Sequence, residues 1–132
     1  MQRRVLVVQD QQDLADVLST WLHGDLRCAS VDLATDVITA VRAARLQPPD
    51  SIVVDLRLGA TAVVDALALL RQQAPQARII VHAASRTQAH AAGMLGVGAD
   101  LIVERSAVSI DQLVEEALHT ELRRRIPTQR GA

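Results

Sequence analysis

Apolar positions fall in short blocks separated by polar punctuation. Val5, Leu6, Val7 and Val8 form an unbroken run that stops at Gln9 and Asp10, the pattern of a strand buried on both faces. Leu14, Val17, Leu18, Trp21 and Leu22 then recur three and four residues apart, with Asp13 and Asp16 in the first turn and Gly24 as a stop. That spacing predicts an amphipathic helix with these residues as its apolar stripe. A weaker strand follows over 26–31 and a helix over 34–46, with Val37, Ile38, Val41 and Ala44 on one face and Pro48-Pro49 ending it.

The second half repeats the scheme. Ile52, Val53 and Val54 make a strand closed by Asp55, and a loop through Gly59 leads to a helix over 62–73 with Val64, Leu67 and Leu70 inward. Pro75 precedes a strand over 78–82, and a short Ala-rich helix over 87–95 stops at Gly96 and Gly98. Leu101, Ile102 and Val103 form a fifth strand, and a last helix runs over 110–124 with Leu113, Val114, Ala117 and Leu118 inward. Pro127 and Gly131 mark a frayed tail.

Strand and helix alternating five times predict an α/β fold with a doubly wound parallel sheet, because right-handed crossovers lay helices on both faces. In such folds chemistry sits beyond the carboxyl ends of the strands. The positions that matter are therefore Gln9-Asp10, Asp55, His82-Ala83-Ala84 and Glu104-Arg105.

The length of 132 residues suits one domain. Cys28 is the only cysteine, which excludes a disulfide framework and a Cys-based zinc site and suits a reducing compartment. The apolar run near Met1 is too short for a signal peptide or a membrane span, so a cytoplasmic protein is expected. A net charge of −1 gives no electrostatic footprint for nucleic acid. The absence of Phe and Tyr removes the usual stacking platforms for single strands.

Two carboxylates at neighbouring strand ends suit a hard cation such as Mg²⁺, and a carboxylate beside that cation can act as a nucleophile toward phosphorus. Val5-Leu6-Val7-Val8-Gln9-Asp10, Ile52 through Leu58, Gly98-Ala99-Asp100 and Glu104-Arg105-Ser106 resemble the signature segments of response-regulator receiver domains. The resemblance spans residues 4–122 and implies a flavodoxin-like, five-stranded sheet of order 2-1-3-4-5 with five helices. It places a receiver domain at 1–125 and a tail or the start of a linker at 126–132. It also implies that Asp55 is the phosphoacceptor, that Asp10 ligates Mg²⁺, and that Arg57 offers its backbone carbonyl as a further ligand.

Departures from the family pattern cluster around the same residues. Gln9 stands where the family has its first acid, which weakens the expected Mg²⁺ site. Ala83 takes the place of the Ser or Thr whose hydroxyl holds a phosphoryl oxygen, and Ile102 that of the aromatic residue coupled to it. Arg105 replaces the family lysine and Ser106 the proline behind it. A guanidinium is a broad planar fork rather than a compact ammonium, so Arg105 reads either as a surface arginine or as a bidentate partner of Asp55. Gly59 and Val63 replace a common loop proline and glycine.

Other features read as structural. His82 is read as a core-edge histidine, and His23, His90 and His119 as solvated helix residues. Gly93, Gly96 and Gly98 follow a helix rather than the first strand, so they do not make a dinucleotide fingerprint. The basic run at 123–125 suits a helix C-terminus.

The expected function is an atypical receiver domain of bacterial two-component signalling. It acts mainly as a protein-interaction module, is not an enzyme, and binds Mg²⁺ at most weakly. Expected partners are a histidine kinase or other signalling protein, a second copy docked through the fourth and fifth helices, and an output domain elsewhere; nucleic acid and membrane are not among them. Ala89, Ala91, Ala92 and Val108 would supply the dimer contacts. Two alternatives stay open. One is a working phospho-receiver with Ser85 or Ser106 supplying the missing hydroxyl; the other is a small nucleotide- or flavin-binding protein on the same fold.

Overall fold

The computed structural model describes residues 2–57, 60–83 and 88–119. Its elements are β1 (Arg3–Gln9), α1 (Gln12–His23), β2 (Cys28–Ala34), α2 (Val37–Leu46), β3 (Ser51–Asp55), α3 (Ala60–Gln73), β4 (Arg78–Ala83), α4 (Gln88–Gly96), β5 (Leu101–Glu104) and α5 (Ile110–Ala117). All strand pairs are parallel and the sheet order is β2-β1-β3-β4-β5, as expected for the flavodoxin-like fold. The chain leaves β1 toward one edge and returns to lay β3 on its other side, so the switch in strand order falls between β1 and β3.

Successive strand residues point to opposite faces. Val5, Val7, Val53 and Ile80 therefore face α1 and α5, packing with Leu18, Leu22, Leu113 and Leu118. Leu6, Val8, Ile52, Val54 and Ile79 face the other way, onto Ala40, Ala44, Leu67, Leu70 and Met94. Both layers are aliphatic, and each fully buried Leu, Ile or Val contributes roughly 1.5–3 kcal/mol.

Several local expectations need correction. The second strand runs Cys28–Ala34 rather than 26–31, and Leu26 lies in the turn before it, 91% exposed. The helix after it starts at Val37, because Asp36 caps it by accepting a hydrogen bond from the Thr39 N–H at 2.8 Å. Ala40 and Ala44 are its buried residues, while Ile38 is exposed. In α1 the buried residues are Ala15, Leu18 and Leu22, and Leu14, Val17 and Trp21 are exposed. An apolar stripe five residues wide exceeds what one sheet and one neighbouring helix can cover.

α5 ends at Ala117 with Leu118 as its C-cap, short of the expected 110–124, while the expected inward residues Leu113, Val114, Ala117 and Leu118 are all buried. A reciprocal capping box between Ser109 and Gln112 starts that helix. The expected loop at Gly59, the residues 84–87 and everything beyond His119, including the basic run and the tail, lie outside the described residues. Arg71 of α3 ties two connections together, donating to the carbonyls of Ala77 and Gly98 and pairing with Asp100 at 2.9 Å. That staple fixes the entry of β4 and β5 into the sheet. Among the described residues no helix is long and apolar enough to cross a membrane.

Candidate functional site

The site is built by register. β1 and β3 pair with Gln9 opposite Asp55, and β3 and β4 pair with Val54 opposite Val81, so His82 is the next residue along beside Asp55. β4 and β5 pair with Ala83 opposite Glu104, and the Arg105 N–H donates to the Ala83 carbonyl at 2.8 Å. Side chains 9, 55, 82 and 105 are thereby gathered at the carboxyl edge of three adjacent strands and the turn after a fourth.

Asp55 is 3% exposed, and both of its carboxylate oxygens are occupied. Oδ1 accepts from Arg105 Nε at 3.0 Å and also from Arg105 Nη2. Oδ2 accepts from Gln9 Nε2 at 2.7 Å and from His82 Nδ1 at 3.2 Å. An ionised carboxylate can only accept, so the His82 proton facing it sits on Nδ1. Burial pushes the Asp55 carboxyl upward, but the hydrogen bonds from His82, Arg105 and Gln9 outweigh it and hold the group at about 2.

Gln9 is fixed at both ends, since its Oε1 accepts from the Gln11 N–H at 3.0 Å. A neutral amide here turns what would be a like-charged neighbour of Asp55 into a donor. Asp10 is exposed, and its Oδ2 accepts from the Arg57 N–H at 2.9 Å, which joins the turn after β1 to the turn after β3. Ala83 lies at the end of β4 without a hydroxyl, and its carbonyl holds the Arg105 backbone in place. Ile102 is buried in the α2–α4 layer of the core beside Val81.

Mg²⁺ needs near-octahedral oxygen ligands with free lone pairs. Here the Asp55 oxygens each face two N–H donors, and Gln9 Oε1 and Asp10 Oδ2 are each committed to a backbone N–H. Among the described residues no three His, Cys, Asp or Glu side chains converge in a metal-holding group. The arrangement does not fit a hard dication, because Arg105 already places a positive charge on Asp55 Oδ1.

Two sequence expectations change. Arg105 does pair with Asp55, but through a single oxygen instead of a two-oxygen fork. His82, read as a core-edge residue, belongs to the site; strand register counted across from Asp55 is the signal that identifies it. Ser106 is exposed and makes no hydrogen bond to Asp55 among the described residues, and Ser85 lies outside them.

A family model described as the response regulator receiver domain matches residues 5–118. No curated protein sequence matches significantly. A response regulator from Burkholderia pseudomallei, solved with a phosphorylated aspartic acid, calcium ion and citrate, is 27% identical with a TM-score of 0.76, covering 89% of this chain and 67% of its own. A LuxR-family two-component response regulator from Aurantimonas sp. SI85-9A1 is 25% identical with a TM-score of 0.75, covering 87% of this chain and 81% of its own. The response regulator domain of Thermotoga maritima CheB shares the fold at 24% identity and a TM-score of 0.74, over 92% of this chain and 99% of its own.

Proposed function

The chain belongs to the response-regulator receiver family, a family of two-component signalling modules, and from that premise we propose that it works mainly by protein interaction, with its phosphorylation switch altered. The observation that carries this reading is the saturation of Asp55 by Arg105, His82 and Gln9. A phosphoryl group can join Asp55 only after the guanidinium leaves Oδ1 or Gln9 and His82 leave Oδ2. Asp10, Asp55, the Arg57 carbonyl and Gln9 then form at best a weak Mg²⁺ site. Ala83 offers no hydroxyl to report the change, and the aliphatic Ile102 cannot act as the family's aromatic partner.

Partners are histidine kinases or other signalling proteins in the cytoplasm, and an output domain elsewhere receives the signal. Residues 1–125 act as the receiver unit, with 126–132 as tail or linker. Self-association uses α4 and α5, where Ala92 is exposed and Val108 lines a groove of about 360 Å³ along β5 and α5. The Ala89 side chain lies outside the described residues. Substituting Ala92 and Val108 with Arg weakens self-association in sedimentation; unchanged association and partner binding would remove that surface from the account.

The test of the altered switch is a titration with Mg²⁺ and a beryllofluoride phosphoryl mimic, followed by NMR, with Asp55→Asn as control. The expected result is that neither protein shows a Mg²⁺- or mimic-induced shift at position 55 or at Gln9, His82 and Arg105. Saturable shifts confined to the Asp55 protein would establish a working phospho-receiver instead.

A further inference from the structure

Beside Asp55, residues of α1 and α5 enclose a cavity of about 270 Å³. Leu14, Val17 and Leu18 form one wall, Ile110 and Leu113 the other, and Val7 and Val53 of the sheet the base. Leu14 and Val17 belong to the α1 stripe that the core leaves uncovered, at 40% and 47% exposure. The size falls between the roughly 150 Å³ that holds one benzene and the roughly 300 Å³ at which sites for drug-sized ligands begin.

One end of this apolar space is charged. Asp55, Arg57 and Arg105 all line it. Arg105 commits Nε and Nη2 to Asp55, and among the described residues neither its Nη1 nor the Arg57 guanidinium has a partner. The four N–H donors already on Asp55 leave no acceptor there for an ammonium ion. A cationic ligand therefore finds no acceptor on Asp55, whereas an anion finds uncommitted guanidinium donors beside an apolar chamber, with Asp10, held on the Arg57 backbone N–H at 2.9 Å, as a further carboxylate close by.

We propose that this cavity binds a small carboxylic acid with an apolar body about the size of one aromatic ring, its carboxylate on Arg57 and Arg105 and its body between α1 and α5. This rests on the reading that Asp55 stays paired with Arg105, and it gives the domain an input that does not require a phosphoryl group. Occupation couples the α1 stripe and the start of α5 to the ion pair, so the surface offered to partners changes with the ligand.

The test uses phenylacetate, its neutral analogue phenylacetamide, and acetate, each titrated into the protein and followed by NMR. Phenylacetate is expected to shift Leu14, Val17, Ile110 and Arg105 saturably, with the amide at least about tenfold weaker, the loss expected of one charge-assisted hydrogen bond. Acetate, lacking the body, leaves the α1 and α5 signals unmoved. Arg57→Gln, an exposed change, removes the preference for acid over amide, and Val17→Phe, at the half-exposed wall, blocks both. Equal binding of acid and amide, no saturable shifts at these residues, or shifts that follow protein concentration instead of phenylacetate would each overturn the proposal. An Asp55 phosphoryl adduct in a separate labelling experiment overturns the altered-switch reading, and the phenylacetate titration reports the cavity independently of it.

Discussion

Arg105 places two N–H groups on one oxygen of Asp55, and the second oxygen is left to Gln9 and His82. This division lets three side chains from three parts of the chain satisfy a carboxylate that is almost wholly buried. It also assigns stability to residues that a working receiver site would keep free for chemistry.

Removing the guanidinium leaves a buried charge without its ionic partner. Arg105→Ala is expected to lower unfolding free energy by about 3 kcal/mol in urea denaturation, the low end of the cost of breaking a buried pair, because Gln9 and His82 remain. Arg105→Lys recovers only part of this, since an ammonium cannot repeat the side-on geometry. A loss below about 0.5 kcal/mol for Arg105→Ala would place the pair among ordinary surface ion pairs.

Asp55 also predicts a pH dependence. Its carboxyl lies at about 2 in the folded chain against an ordinary 3.8, so as pH falls the unfolded chain takes up this proton first. The stabilisation is complete above the unfolded value and is lost as pH falls from about 3.8 toward 2, on the order of 2 kcal/mol. Asp25, held low by Arg27, titrates over a similar range, so the quantity to measure is the difference in acid unfolding between the native sequence and Asp55→Asn. Parallel acid transitions in the two proteins would show that Asp55 contributes nothing to it.

Gln9→Asp restores a second carboxylate beside Asp55. Repulsion between like charges raises the Asp55 carboxyl and favours a cation. Combined with Arg105→Lys, it is expected to give a Mg²⁺-dependent rise in melting temperature that the native sequence lacks. An equal Mg²⁺ response in both proteins would contradict the fit described for the native site.

The Arg71 staple predicts a contrast between two glycines. Gly98 has φ +122°, and a Cβ there would lie 2.8 Å from Arg71 Cγ, so Gly98→Ala should cost roughly 1–3 kcal/mol. Gly96 ends α4 with open space where a Cβ would stand, and Gly96→Ala should be neutral or stabilising by up to about 1 kcal/mol. Urea denaturation of both variants checks the pair, and equal effects would remove the close Arg71 contact as the cause.

Much of this was legible in the sequence. The runs ending at Gln9 and Asp55 are apolar on every residue, which only a doubly covered sheet requires, and they place the site at the strand ends. The helix stripes were less informative: Leu14, Val17, Trp21 and Ile38 fit the period of their helices but not the area available to cover them. Asp36 sets the start of α2 through capping, a local signal that the apolar period over 34–46 masks. His82 escaped because its role depends on register with Asp55 across a strand pair, which no spacing along one chain segment displays.

The most direct test of the central claim is intact mass after incubation with acetyl phosphate and Mg²⁺, comparing the native sequence, Arg105→Lys and Asp55→Asn. No phosphoryl adduct is expected on the native chain or on Asp55→Asn, and adduct is expected on Arg105→Lys once the guanidinium no longer occupies Oδ1. Stoichiometric adduct on the native chain, lost in Asp55→Asn, would contradict that claim.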